Sequence, residues 1–223
     1  MKRGIRQGCP VSALLFILII ETLTHSIQTN KSILGISVKT KDVFCEYKCF
    51  QYADDVNLFL MNEYQIEKAL NIIHDFSKVA GPTVNKMKTE GILLGNLKNK
   101  DSIYKNTAIK WAIDPVRCLG IYIGHDINKC NFLNWTQRLN RVENEINSWK
   151  KRALTFFGKI TIIKSLSVPK LLYPAHFLPV PPEIVQKANR IFYAFVWNSK
   201  DRIKRNTLIG DISQGGLNMP DIE

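Results

Sequence analysis

Cysteine is scarce in this sequence and never spaced to bind a metal or to cross-link the chain. The five cysteines (Cys9, Cys45, Cys49, Cys118 and Cys130) are an odd number and include no C-x-x-C pair. A disulfide framework and a structural zinc site are therefore excluded, and a reducing intracellular compartment, nucleus or cytoplasm, is expected. Cys45 and Cys49, four apart in a strand-like stretch, read as half-buried thiols. Long apolar runs are missing too. Val11–Ile20 is a run of ten residues, too short for a bilayer. Lys2, Arg3 and Arg6 before it give it the outline of a signal peptide, yet Glu21-Thr22-Leu23-Thr24-His25 offers no small-residue cleavage site. A buried helix accounts for the segment better, so neither secretion nor a membrane partner is expected. Internal repeats and low-complexity tracts are absent as well.

Acidic charge is in short supply in one half only. Residues 1–95 carry 11 basic and 9 acidic side chains, whereas residues 96–223 carry 20 and 10, out of a formal net charge of +12. A basic second half suits a polyanion, either nucleic acid or an acidic membrane surface, and equally suits a solvated lysine-rich face. At 223 residues and 45% hydrophobic, the chain is long enough to bury a core in one or two domains.

Pro10 fits the first turn of a helix over 11–27, apolar nearly all round and hence expected at the centre of the fold. Ile33–Val38 and Val43–Phe50 read as strands, and Tyr52–Leu60 as a hairpin about Asp54-Asp55. Asn62, with Gln65 three residues on, opens a helix whose stripe is Ile66, Ala69, Leu70, Ile73 and Phe76, and Gly81-Pro82 ends it. Ile92–Leu94 is a short strand, 96–106 a polar loop, and Val116–Gly124 a strand within a hairpin. After Gly124 the pattern turns helical. Trp135, Leu139, Val142, Ile146, Trp149 and Ala153 follow at spacings of 4, 3, 4, 3 and 4, one helix face. Further helices are expected near 159–167 and 183–197, separated by a bend rich in proline (Pro169, Pro174, Pro179, Pro181, Pro182). The whole is α+β, passing to all-α near residue 128.

Chemistry concentrates at Phe50-Gln51-Tyr52-Ala53-Asp54-Asp55-Val56. Two adjacent carboxylates would face opposite ways within a strand, but a tight turn can aim both to one side. Such a pair suits a divalent cation such as Mg²⁺, and two ions held by carboxylates serve phosphoryl transfer. Asp-Asp is also an ordinary turn in water. The neighbours bear on the choice. Arg6-Gln7-Gly8-Cys9-Pro10-Val11-Ser12-Ala13-Leu14-Leu15-Phe16 lies 47 residues upstream, counted from Gln7 to Asp54. It is a glycine loop entering a buried helix, where backbone can approach a flat ligand. Asn85-Lys86-Met87-Lys88-Thr89-Glu90 puts two lysines on a turn, and Leu119-Gly120-Ile121-Tyr122-Ile123-Gly124 follows with two glycines.

These blocks, in this order and spacing, resemble the polymerase motifs of LINE-type (non-LTR) retrotransposon reverse transcriptases. The stretch from Arg6 to Phe16 is similar to motif B, Tyr52–Asp55 to motif C, Asn85–Glu90 to motif D and Leu119-Gly120 to the primer-grip motif E. The likeness continues through Trp149-Lys150, Gly158-Lys159-Ile160, 168–173, Phe195-Val196-Trp197-Asn198 and 215–221, and so covers essentially the whole chain. A group II intron maturase shares the Y-A-D-D but fits the last two blocks less well.

The resemblance implies a partial palm over residues 1–128, a helical thumb over 129–197 and a basic connector over 198–223. It implies that Asp54 and Asp55 hold catalytic Mg²⁺, that Arg6, Gln7 and Gly8 line the nucleotide pocket, and that Leu119, Gly120 and Ile121 hold the primer end. Lys88 becomes a candidate proton donor to the leaving pyrophosphate, with an ordinary surface lysine as the alternative. Lys200, Arg202, Lys204 and Arg205 would bind phosphate backbone. The implied partners are an RNA template, a DNA primer and deoxynucleoside triphosphates. Three departures stand out. Ala13 replaces the family's usual proline, Pro82 stands where a hydrophobic residue is usual, and the sequence starts at motif B. Motif A with its third aspartate, the fingers and the endonuclease domain have no counterpart, and Asp42, Asp114 and Asp126 lie in the wrong order to replace that aspartate. The chain alone is therefore expected not to polymerise DNA. A second reading is a non-catalytic RNA- or DNA-binding module derived from a retrotransposon.

Overall fold

Apolar periodicity sets up most elements, and the turns between them rest on a few residues with left-handed backbone. The computed structural model describes residues 8–41, 43–85, 87–97, 109–112, 114–197 and 203–222. They form two compact units that part between Gly120 and Ile121.

The first unit opens with α1 (Ser12–Thr29), followed by β1 (Ile36–Thr40) and β2 (Val43–Tyr47). These two strands pair antiparallel, Ile36 opposite Tyr47, with Lys41 at φ 54° in the turn. Next come the antiparallel pair β3 (Cys49–Tyr52) and β4 (Asp55–Leu58), then α2 (Tyr64–Ala80), which Gly81 closes at φ 97°. The expected capping box between Asn62 and Gln65 does not form: Glu63 is the N-cap and makes no side-chain cap bond, and Gln65 Oε1 accepts instead from the Met61 N–H at 3.0 Å. β5 (Glu90–Gly91) and β6 (Lys110–Trp111) make a short parallel pair, and β7 (Val116–Cys118) is the last strand of the unit. Its core joins Leu23 and Ile27 of α1 to Ile33, Cys49 and Ala69.

Helix α1 departs from expectation. At 18 residues it is longer than its apolar run and, by length and composition alone, could cross a membrane. It is also not central: only Leu23 and Ile27 are buried, while Leu14 and Leu18 are 63% and 66% exposed. The reason is geometric. α2 and β3 pack against one side of α1, toward its C-terminal end, so the remaining apolar faces meet water. Lys48 fastens that end. Its buried side chain donates to Gln28 O at 3.0 Å and Asn30 O at 2.9 Å, carbonyls at the negative end of the helix.

The second unit starts with β8 (Ile121–Ile123) and is otherwise helical: α3 (Ile127–Asn131), α4 (Gln137–Trp149), α5 (Phe156–Ile162), α6 (Val168–Ala175), α7 (Pro182–Trp197) and α8 (Arg205–Ile209). One π turn, Phe132–Thr136, joins α3 to α4, and another, Ile163–Ser167, joins α5 to α6. The expected stripe is buried at Trp135, Leu139, Val142 and Ile146 and half-buried at Trp149. Ala153 lies past the helix end and is exposed, and Leu154 packs instead. Pro169 and Pro174 fall inside α6 rather than in a bend. Pro169 stands in the first turn of α6, where its missing N–H costs little. After α8 the chain returns onto it: the Leu217 and Met219 N–H groups donate to Leu208 O at 3.1 and 2.9 Å. This mixture of helices and small sheets fits an α+β class.

Candidate active site

The hairpin of β3 and β4 is as tight as two strands allow. Tyr52 pairs with Asp55, leaving Ala53 and Asp54 as the two-residue turn. Ala53 takes φ 50°, a conformation that costs a non-glycine residue roughly 1 kcal/mol and is found where a site over-determines it. Asp54 and Asp55 thus stand side by side at the tip, both exposed. The base of the hairpin is anchored to α1. The Thr24 hydroxyl donates to Gln51 Oε1 at 2.6 Å, and Gln28 Nε2 donates to Cys49 O at 3.4 Å.

A neighbour not singled out in the sequence adjoins the tip. The Cys118 thiol donates to Asn57 Oδ1 at 3.2 Å, and its pKa is pushed up by burial first and by the charge of Asp55 second. Cys118 immediately precedes Leu119 and Gly120, whose backbones are left-handed at φ 46° and 82°. The carboxylate tip and the approach to the Leu119-Gly120 turn are therefore neighbours within the first unit. The spacing of Cys118 from Asp55, 63 residues by number, gave no local signal for this.

The other expected positions are more scattered. Gly8 is exposed at φ 90°, as a turn glycine requires; Arg6 and Gln7 lie outside the described residues. Lys88 is exposed on a turn in which its N–H donates to Asn85 O at 3.0 Å. Ile121 is buried at the start of β8, whose Tyr122 is clamped by Asn134. Lys200 and Arg202 lie outside the described residues, and Lys204 is exposed. Arg205 opens α8, and its guanidinium stacks 4.3 Å from the centre of the Tyr193 ring.

Two exposed carboxylates suit a small divalent cation that keeps several waters and accepts one or two protein oxygens. Among the described residues no group of three or more His, Cys, Asp or Glu side chains stands together. Asp54 and Asp55 are the side chains here that could hold such an ion.

Residues 1–123 match the family model for reverse transcriptase (RNA-dependent DNA polymerase). Over 216 residues, 96% of the chain, the sequence is 25% identical to a Xenopus laevis protein named Transposon TX1 uncharacterized 149 kDa protein. The chain spans only 16% of that relative's length. The relative's match extends through the helical unit, beyond the end of the family match.

Proposed function

Since the chain belongs to the reverse transcriptase (RNA-dependent DNA polymerase) family, we propose that it is the motif B-to-thumb segment of a LINE-type retrotransposon polymerase. Residues 1–128 act as part of the palm, 129–197 as the thumb and 198–223 as a basic connector. The reaction served is RNA-templated DNA synthesis. A primer 3′-hydroxyl attacks the α-phosphate of a deoxynucleoside triphosphate, and pyrophosphate leaves.

The observation that carries this reading is the hairpin tip. Asp54 and Asp55 are adjacent, exposed and next to the segment leading into Leu119-Gly120, inside the region that matches the family. Asp54 and Asp55 hold Mg²⁺, which when bound supplies positive charge where negative charge develops on the reacting phosphate. Gly8, with Arg6 and Gln7, accommodates the incoming nucleotide by close backbone approach. The Leu119-Gly120 turn and Ile121 position the primer end, and Lys88 gives a proton to the departing pyrophosphate. Two carboxylates on one turn hold an ion weakly, so the chain by itself is expected to give no primer extension on an RNA template with Mg²⁺.

The test separates metal binding from turnover. Trace Mn²⁺ should broaden the backbone amide resonances of residues 53–56 in the parent, and an Asp54→Ala, Asp55→Ala double variant should abolish the effect. Equal broadening in both proteins would remove the metal assignment. Extension by the parent that disappears in the double variant would refute the expected inactivity. Salt-sensitive nucleic-acid binding combined with an absence of Mn²⁺ broadening at the tip would favour the non-catalytic binding module instead.

A further inference from the structure

The second unit holds a polar pocket that lies outside the family match. Gln186, Asn189 and Arg190 occupy positions i, i+3 and i+4 on α7 and so share one face, with Tyr193 next along the same stripe. Arg205, the first residue of α8, stacks on the Tyr193 ring at 4.3 Å. Gln186, Asn189, Arg190 and Arg205 together line a cavity of about 250 Å³.

Burial is graded across this site. Tyr193 and Asn189 are 4% and 7% exposed, whereas Gln186, Arg190 and Arg205 are open to water. The floor is therefore fixed by the fold and the rim is accessible. Among the described residues its walls present two guanidinium groups and two carboxamides. Stacking on an aromatic face fixes the plane of Arg205 and hence the directions of its N–H donors. Forked guanidinium donors match phosphate oxygens in geometry as well as in charge.

We propose that this pocket seats a phosphate group of a nucleic-acid backbone, contacted by Arg190 and Arg205 and oriented by Gln186 and Asn189. The proposal rests on reading the chain as a polymerase segment with a nucleic-acid partner. It makes the α7–α8 corner a defined contact point rather than one more stretch of positive surface.

The experiment measures fluorescence anisotropy of a short labelled single-stranded RNA with the full 223-residue chain. Three single substitutions are compared, each checked for unchanged thermal unfolding. Arg190→Gln removes one charge from the pocket. Lys187→Gln removes one charge from the same helix but off the Gln186–Arg190 stripe. Gln186→Ala leaves the net charge alone. Arg190→Gln should weaken binding about tenfold and Gln186→Ala about fivefold, the range expected for one charged and one neutral hydrogen bond. Lys187→Gln should weaken it by no more than about twofold, as a screened surface charge does. Equal losses for Arg190→Gln and Lys187→Gln, with no loss for Gln186→Ala, would overturn the pocket and leave general electrostatics. An absence of RNA binding by the parent at low salt would overturn both the pocket and the nucleic-acid reading beneath it.

Discussion

Asn134 and Ser167 are buried polar side chains that both sit in π turns, and the fold treats them in opposite ways. Asn134 accepts from the Tyr122 N–H and donates to the Tyr122 carbonyl, each at 2.8 Å, and so fixes β8 to the helical body. The Ser167 hydroxyl has no partner among the described residues. Removing both Asn134 bonds orphans two backbone groups, so Asn134→Ala should cost about 2–3 kcal/mol in urea unfolding. Ser167→Ala should instead stabilise by about 1 kcal/mol, since an unpaired buried hydroxyl is a net cost. A third buried polar residue, Lys159, donates to Val196 O at 2.9 Å near the end of α7. Burial first, and Lys150 second, hold its pKa below the ordinary lysine value of 10.5. Between that lowered pKa and 10.5 the unfolded chain binds more protons than the folded one. The stability contributed by this group therefore rises with pH across the window and is lost as pH falls through the folded value. Urea titrations of the parent and Lys159→Met should diverge in favour of the parent as pH is raised toward 10.5.

At the level of elements, local signals carried well where they were strong. The α4 stripe and the α2 helix ending at Gly81 follow directly from apolar spacing and turn chemistry, and so does the hairpin, though its turn falls at Ala53-Asp54, one residue before the expected Asp54-Asp55. What stayed hidden in the sequence depended on distant partners. The apolar pattern of α1 states that the helix is hydrophobic, not how much of it neighbouring elements will cover. Nothing near Cys118 announces Asn57 or Asp55, and nothing near Gln186 announces Arg205. The proline run misled for a related reason. Pro169 sits in the first turn of α6, where a missing N–H costs little, and the Lys170 carbonyl, four residues before Pro174, accepts from the distant Arg138 at 3.4 Å. Lys48 shows how such long-range partners hold an element in place. With bonds to the Gln28 carbonyl of α1 and to that of the C-cap Asn30, it makes the end of that helix depend on the residue that links β2 to β3. Lys48→Met, which keeps the aliphatic length, should destabilise the chain by about 2 kcal/mol, with hydrogen exchange rising first at the C-terminal end of α1.

Across the whole molecule the charge is lopsided, and the fold gives part of it a fixed geometry. Residues 96–223 hold 20 of the 31 basic side chains, Arg190 and Arg205 among them. Nucleic-acid affinity should therefore fall steeply with salt, a log–log plot giving a slope near the number of phosphates neutralised. Reversing Lys200, Arg202, Lys204 and Arg205 together should weaken binding to all sequences about equally and flatten that slope; an unchanged slope would assign these residues to solvated surface. Helix α1 has a different consequence, for life in a cell rather than for binding. It shows water Leu14, Ile17, Leu18 and Ile19 on consecutive turns while fully folded. Chaperones that retain clients by exposed aliphatic surface, and proteases that sample what chaperones release, would keep engaging this segment after it has folded if it were expressed by itself. Its abundance would then be set by how long that helix stays uncovered rather than by how firmly the rest of the molecule is folded.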